Sequence, residues 1–218
     1  METSLRRAWT EIITGDDLDQ HLAAIGQAQA GAELACTMLR AAAPPVGGRV
    51  VIAGAGTGQM LDFLDPAVLR PFRLTFTDLN PVFLARLSER LARHGLSATI
   101  LEDDIEQPAI EAAPDLLMAT LLLEHIYWRR GVESITSLRP AACGIVIQEN
   151  PAGMSTAMTP GRERPPSMAK AFESAHITLV PRDELIAAFA ALGYPHRETW
   201  PREVADGKKL VGMLFVRQ

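Results

Sequence analysis

Three glycines at alternate positions, Gly54, Gly56 and Gly58, follow directly on the β-branched run Val50, Val51 and Ile52. They precede a helix-compatible segment at residues 59–64. The apolar run reads as a strand buried on both faces of a parallel sheet. A strand that passes through a glycine turn into a helix leaves backbone N–H groups facing outward, and without Cβ atoms a ligand can lie against that backbone. Acids and a histidine stand where later strands should end. Asp78 follows residues 72–77, Asp103 and Asp104 follow 98–101, Glu124 and His125 follow 115–123, and Glu149 follows 145–148. In a doubly wound sheet the carboxyl ends of the strands border the ligand crevice, so these side chains should converge there. A free imidazole titrates near neutrality, so His125 has the chemistry to take a proton from a hydroxyl or ammonium group. A histidine simply hydrogen-bonded in a packed turn explains it equally well.

The elements that must hold these groups are legible from pattern. Residues Leu18, Leu22, Ile25, Ala32, Ala35 and Leu39 recur at helical spacing, with Asp16 or Asp17 as N-cap; Gly26 and Gly31 make two shorter helices with a bend as fitting as a single rod. The stretch Ala43-Pro44-Pro45 ends that helical piece. Asn80-Pro81 reads as an N-cap with proline at the first helical position, followed by an apolar stripe through Phe83, Leu84, Leu87 and Leu91 and a C-terminal Gly95. Helices are further expected at 132–138 and 181–192, and a terminal hairpin at 197–204 and 210–216. Between them, residues 151–175 hold four prolines and break the alternation. A loop of that length inside a compact domain is usually a functional lid or disordered.

Composition excludes several classes. With 218 residues, 48% hydrophobic, the chain suits one well-buried α/β domain with an added element or two. A net charge of -5 argues against nucleic acid as the main partner. The two cysteines, Cys36 and Cys143, are far apart and lack metal-ligand spacing, so neither a disulfide framework nor a metal site is expected. The N-terminal stretch is charged and does not read as a signal peptide, and the apolar run at 116–123 is too short to span a bilayer. The expectation is a cytoplasmic protein with no membrane partner; a homodimer is compatible with the sequence.

The glycine spacing separates two kinds of nucleotide site. A dinucleotide-binding turn wants G-x-G-x-x-G, which would put its third glycine at position 59, where Gln59 stands. G-x-G-x-G after a buried strand instead resembles motif I of the class I S-adenosylmethionine-dependent methyltransferases, although an ordinary tight βα turn is the plainer reading of the glycines alone. The resemblance runs from about Arg49 to the C-terminus. It implies an α/β fold with a doubly wound, mostly parallel seven-stranded sheet and an antiparallel C-terminal hairpin, a Rossmann-like methyltransferase fold. It implies an N-terminal helical cap over residues 1–48 and a catalytic domain over 49–218 with a lid insertion at 151–176.

The same resemblance implies S-adenosyl-L-methionine as cofactor, held by Ala53, Gly54, Ala55, Gly56, Gly58, Asp78, Leu79, Ile105 and Thr120. Asp78 would accept from both ribose hydroxyls, with capping of the next helix as the alternative, and Asp104 or Asp103 would accept from the adenine amino group. Many family members carry an acid two positions before the first glycine; here that residue is Ile52, and the cofactor's amino group needs another acceptor. His125, or else Glu124 or Glu149, would serve as base if the nucleophile arrives protonated. Tyr127, Trp128, Met154 and Met158 would line the substrate side, and Trp9 and His21 could reach it from the cap. The acceptor expected is a small molecule, since one lid of modest length covers the site. A protein methyltransferase, a non-enzymatic S-adenosylmethionine-binding protein and a nicotinamide oxidoreductase are the rivals.

Overall fold

The structure, a computed structural model, describes residues 3–218; Met1 and Glu2, which begin the stretch read as a cap, lie outside the described residues. At the N-terminus stand α1 (Thr3–Arg7), a π-helical turn (Ala8–Ile12), α2 (Gly15–Ala24) and α3 (Gln27–Ala42). Strands and helices then alternate through β1 (Arg49–Ala53), β2 (Arg73–Asp78), α4 (Pro81–Arg93), β3 (Ala98–Glu102), β4 (Leu116–Thr120), α5 (Trp128–Ser137) and β5 (Ala142–Glu149). The chain finishes with α6 (Pro166–Ala171), α7 (Arg182–Ala191), β6 (His196–Glu203) and β7 (Lys209–Val216).

All the strands join one seven-stranded sheet in the order β3-β2-β1-β4-β5-β7-β6. The first five pair in parallel, and β7 is antiparallel to both β5 and β6. Strand order reverses between β1 and β4, which opens a crevice at their carboxyl ends. The two-residue period of a strand decides which side chain serves which layer. Val50, Ile52, Leu116 and Met118 pack with Leu84, Leu87 and Leu91 of α4 and with Ala35 and Leu39 of α3. Their neighbours Val51, Ala53, Leu117 and Ala119 pack on the other face with Val132 and Ile135 of α5 and Leu185 and Phe189 of α7. This double burial is why β1 and β4 read as continuous apolar runs.

Several expected details are corrected. Thr14, not Asp16 or Asp17, caps α2, its hydroxyl accepting from Asp17 N, while the two acids occupy the first turn. The helical piece breaks at Gly26 (φ 75), and Gly31 stays inside α3. Residues Gln59–Phe63 form a 3-10 helix, so no α-helix opens at the glycine turn. β4 ends at Thr120 because Leu121 enters the left-handed region (φ 54), after which Leu123–His125 make a 3-10 turn. α5 starts four residues before the expected 132, at Trp128. The proline-rich segment carries a short helix of its own, α6.

Candidate active site

The glycine turn is fixed from behind and open in front. Gly54, Gly56 and Gly58 all have positive φ (63, 57 and 74), a conformation costly for residues with a Cβ. Ala55 N donates to Thr77 O at 2.9 Å, and Gly56 N donates to Asp78 Oδ2 at 2.8 Å, so the tip of β2 holds the turn. Behind it Arg90 of α4 donates to Thr57 O at 2.6 Å and pairs with Asp19 and Asp62, both at 2.9 Å. Gly54 and Gly56 line the crevice together with Ala53, Ala55 and Leu79. Gly58 does not reach it: a Cβ there would strike Leu87 of α4, so this glycine permits helix-on-sheet packing.

Asp78 borders the crevice with its second oxygen accepting from Asn80 N at 2.9 Å. Asn80 itself caps α4, accepting from Val82 N and Phe83 N. Burial pushes the Asp78 carboxyl above the ordinary carboxylate range, against the pull of its backbone donors. At the tip of β3 the two neighbouring acids differ. Asp104 is paired with Arg6 of α1 at 2.7 Å, and although burial opposes it, that pair and a backbone donor from Glu106 hold its carboxyl low. Asp103 accepts from Ala109 N at 2.7 Å with one oxygen, while its other, Oδ2, is buried without a partner. Both acids and the buried Ile105 line the cavity.

At the tip of β4 the left-handed Leu121 redirects the chain so that Glu124 points back under β5. Its Oε1 accepts from Gln148 N at 2.7 Å, and its Oε2 is buried with no partner. Burial raises its pKa from 4.5 to about 7. The adjacent His125 is governed by the cap: Trp9 Nε1 donates to His125 Nδ1 at 3.2 Å, the rings meeting edge to face with centroids 4.6 Å apart. Accepting at Nδ1 leaves the proton of the neutral ring on Nε2, and burial lowers the imidazole pKa to about 4. Both residues line the cavity, the neutral ring with a donor at Nε2 and Glu124 with an unpartnered, buried Oε2.

The N-terminal helices and the proline-rich segment both line the crevice and are joined to each other. Thr14 N donates to Ser167 Oγ at 3.0 Å and Ser167 N to Asp17 Oδ2 at 2.7 Å. Leu5, Ala8, Ile13 and Leu18 of the N-terminal helices share one apolar cluster with Met168 and Ala171 of α6 and Phe83 of α4. Of the residues expected on the substrate side, Met158 lines the cavity; Met154, Tyr127 and Trp128 do not. Tyr127 is exposed, and Trp128 packs beside the core under the Arg129 guanidinium, 4.2 Å from its ring centroid. Glu149 also stands outside the cavity, 3.4 Å from Arg182. Thr120, Trp9 and His21 do line it. Pattern reading passed over Gln27, Gln148, Arg162, Arg164 and Lys208, which reach it from α3, β5, the lid and the β6–β7 corner. The proline-rich lid was the available signal for the two arginines; nothing local marks Lys208. Among the described residues no group of three or more His, Cys, Asp or Glu is arranged to hold a metal ion.

A glycine-floored crevice at a sheet's switch point, with acids at the next two strand tips, invites comparison with known proteins. Residues 50–139 match a family model described as a methyltransferase domain. That match runs from within β1 to just beyond α5, the stretch that holds the glycine turn, Asp78, Asp103, Glu124 and His125. No curated protein matches the sequence. Among solved structures, the chain resembles the magnesium protoporphyrin IX methyltransferase of Synechocystis with bound S-adenosylhomocysteine (TM-score 0.66, 13% identity, 99% of this chain and 93% of that one). It also resembles the 1,6-didemethyltoxoflavin N1-methyltransferase of Burkholderia thailandensis (TM-score 0.61, 16% identity, 87% and 79% covered). The [4+2]-cyclase SpnF is a third (TM-score 0.66, 13% identity, 87% and 81% covered). At such identities these likenesses speak for the fold, and the cyclase illustrates that one fold hosts more than one reaction.

Proposed function

We propose that this methyltransferase transfers a methyl group from S-adenosylmethionine to a small-molecule acceptor and that Glu124 takes the acceptor's proton. The observation carrying this reading is the buried Glu124 carboxylate with a free oxygen, set in the same cavity as the Gly54–Gly56 turn, Asp78 and Asp103. The residues present fit the cofactor. The bare backbone at Gly56 gives room for its amino-acid part, Asp78 would accept from the sugar hydroxyls, and the unpartnered Oδ2 of Asp103 suits the adenine amino group, with Ile105 beside the ring. Asp104, already paired with Arg6, is the weaker candidate. Ile52 lines the cavity with an apolar side chain, so the amino group must be met elsewhere.

When bound, S-adenosylmethionine supplies a methyl group already activated on a sulfonium. The protein's own work is to align the acceptor, keep water out and hold a proton. A carboxyl with a pKa of about 7 is half ionised at neutral pH and basic enough to accept from a hydroxyl or ammonium, whereas its unperturbed counterpart would be a far weaker base. His125, donating through Nε2, would orient the acceptor. The N-terminal helices and the proline-rich segment set apolar walls around the site, which favours a small acceptor over a peptide chain. Titration calorimetry with S-adenosylhomocysteine and NAD, followed by labelled-methyl transfer to a metabolite panel, tests the reading. Glu124→Gln should lower turnover about 100-fold or more while S-adenosylhomocysteine affinity stays within about twofold. Wild-type turnover in the variant would remove Glu124 as base, and NAD binding in place of S-adenosylhomocysteine would remove the function itself.

A further inference from the structure

The far wall of the cavity carries charge that the reaction above does not use. Lys208, at the corner before β7, is only 7% exposed, yet its Nζ is answered by a single carbonyl, Ala157 O at 2.7 Å. Arg164 of the lid donates to Thr159 O at 2.8 Å. Among the described residues neither cation has a carboxylate partner. Their neighbour Arg162 does: its Nε reaches Asp206 Oδ2 at 2.7 Å, and that oxygen also accepts from Thr159 Oγ1 at 2.6 Å. Three cations therefore face one carboxylate, in a protein whose net charge is -5. His21 of α2 looks onto the same corner; burial first, and then the charges of Arg164, Arg162 and Lys208, hold its imidazole below the ordinary range. A half-answered ammonium in a cavity wall is costly and calls for an anion.

Topology sets this corner apart from the cofactor's nucleoside end. Asp78 and Asp103 stand at the β2 and β3 tips on one side of the switch point, and Lys208 lies beyond β5 on the other. The same cavity is also lined by apolar Leu22, Ile25, Met158, Phe172 and Ile177. We infer that the acceptor is an apolar, aromatic-sized molecule bearing one anionic group, a carboxylate or phosphate, seated between Lys208 and Arg164. This rests on the small-molecule methyl transfer proposed above. The anionic end then lies at the cationic corner, and repulsion keeps it from the Glu124 carboxylate, which fixes which end of the acceptor meets the base.

The same chemistry has a second source, the carboxylate of the cofactor's own amino-acid part, so the test has two arms. In the first, S-adenosylhomocysteine is titrated into wild type, Lys208→Met and Arg164→Gln. In the second, each protein saturated with it is titrated with matched acid and amide pairs: indole-3-acetate against indole-3-acetamide, 1-naphthoate against 1-naphthamide, and phenyl phosphate beside them. Wild type should bind the acids about tenfold or more tighter than the amides, and both substitutions should erase the preference while S-adenosylhomocysteine affinity stays within about twofold. Circular dichroism checks folding, and Arg164→Gln, at a half-buried site, carries the test if Lys208→Met does not fold. Equal binding or no binding of acids and amides overturns the inference. So does a loss of S-adenosylhomocysteine affinity in the variants, which would give the corner to the cofactor. Failure of wild type to take S-adenosylhomocysteine at all would show in the first arm and strike the parent proposal instead.

Discussion

Glu124 and His125 are adjacent in sequence, and residue type alone favours the histidine as base. Desolvation reverses the preference. It raises the carboxyl to a pKa of about 7 and lowers the imidazole to about 4, so at neutral pH the acid is the better-placed acceptor and the histidine is uncharged. Nothing in the local sequence reports that a left-handed Leu121 turns Glu124 under β5, nor that Trp9, 116 residues away, occupies His125 Nδ1. The burial of Glu124 also has a stability signature. Up to pH about 7 the folded state keeps this proton, whereas the unfolded chain releases it near 4.5, so stability falls as pH rises across that window and stays lowered above it. The full loss is up to about 3 kcal/mol. Glu124→Gln removes the titration and keeps the oxygen that accepts from Gln148 N. Its melting temperature should match wild type near pH 4 and exceed it by several degrees at pH 8. An unchanged difference between those two pH values would mean that Glu124 does not titrate there.

At the scale of elements, the alternating strands and helices were readable because each has a distinct period and clear stops, such as Asn80-Pro81 and Gly95. What escaped was how a turn of three glycines divides its labour. All three look alike in sequence, yet Gly58 faces Leu87 of α4 whereas Gly56 faces the cavity, its would-be Cβ no closer than 3.4 Å to Gln59. Substitution should separate the two duties. Gly58→Ala combines a positive φ with a clash against a buried leucine and should cost about 3 kcal/mol of stability. Gly56→Ala carries the conformational cost alone, about 1–2 kcal/mol, but puts a methyl where the cofactor would lie, and should weaken S-adenosylhomocysteine binding at least about tenfold. Denaturant melts and calorimetry on both variants decide the matter. If Gly58→Ala loses more affinity than Gly56→Ala, the division drawn here is wrong. The length of β4 escaped for a related reason: the run 116–123 is apolar throughout, and only the tertiary turn at Leu121 shows where the ladder stops.

Across the whole molecule, the sheet and the cover behave as different bodies of packing. The sheet is buried on two faces by α3, α4, α5 and α7. The cover is one small apolar cluster in which the N-terminal helices and α6 meet, tied by Ser167 to Thr14 and Asp17 and by Arg6 to Asp104. Loosening of such a cover would draw on the least stable part of the fold. Met168, 4% exposed in that cluster, is the lever. Truncating a buried methionine costs about 2–5 kcal/mol where the surrounding structure is indivisible. Here Met168→Ala should instead loosen the cover alone. Amide exchange in α1, α2 and α6 should rise together, β1, β4 and β5 should exchange as in wild type, and the main melting transition should move by less than about 2 °C. Saturating S-adenosylhomocysteine at about 100 times its Kd adds about 2.7 kcal/mol to whatever it bridges, so it should slow exchange in the cover and the glycine turn alike. Exchange that rises in α6 and leaves α1 and α2 untouched would show that cap and lid move independently, and that the ties through Ser167 are incidental.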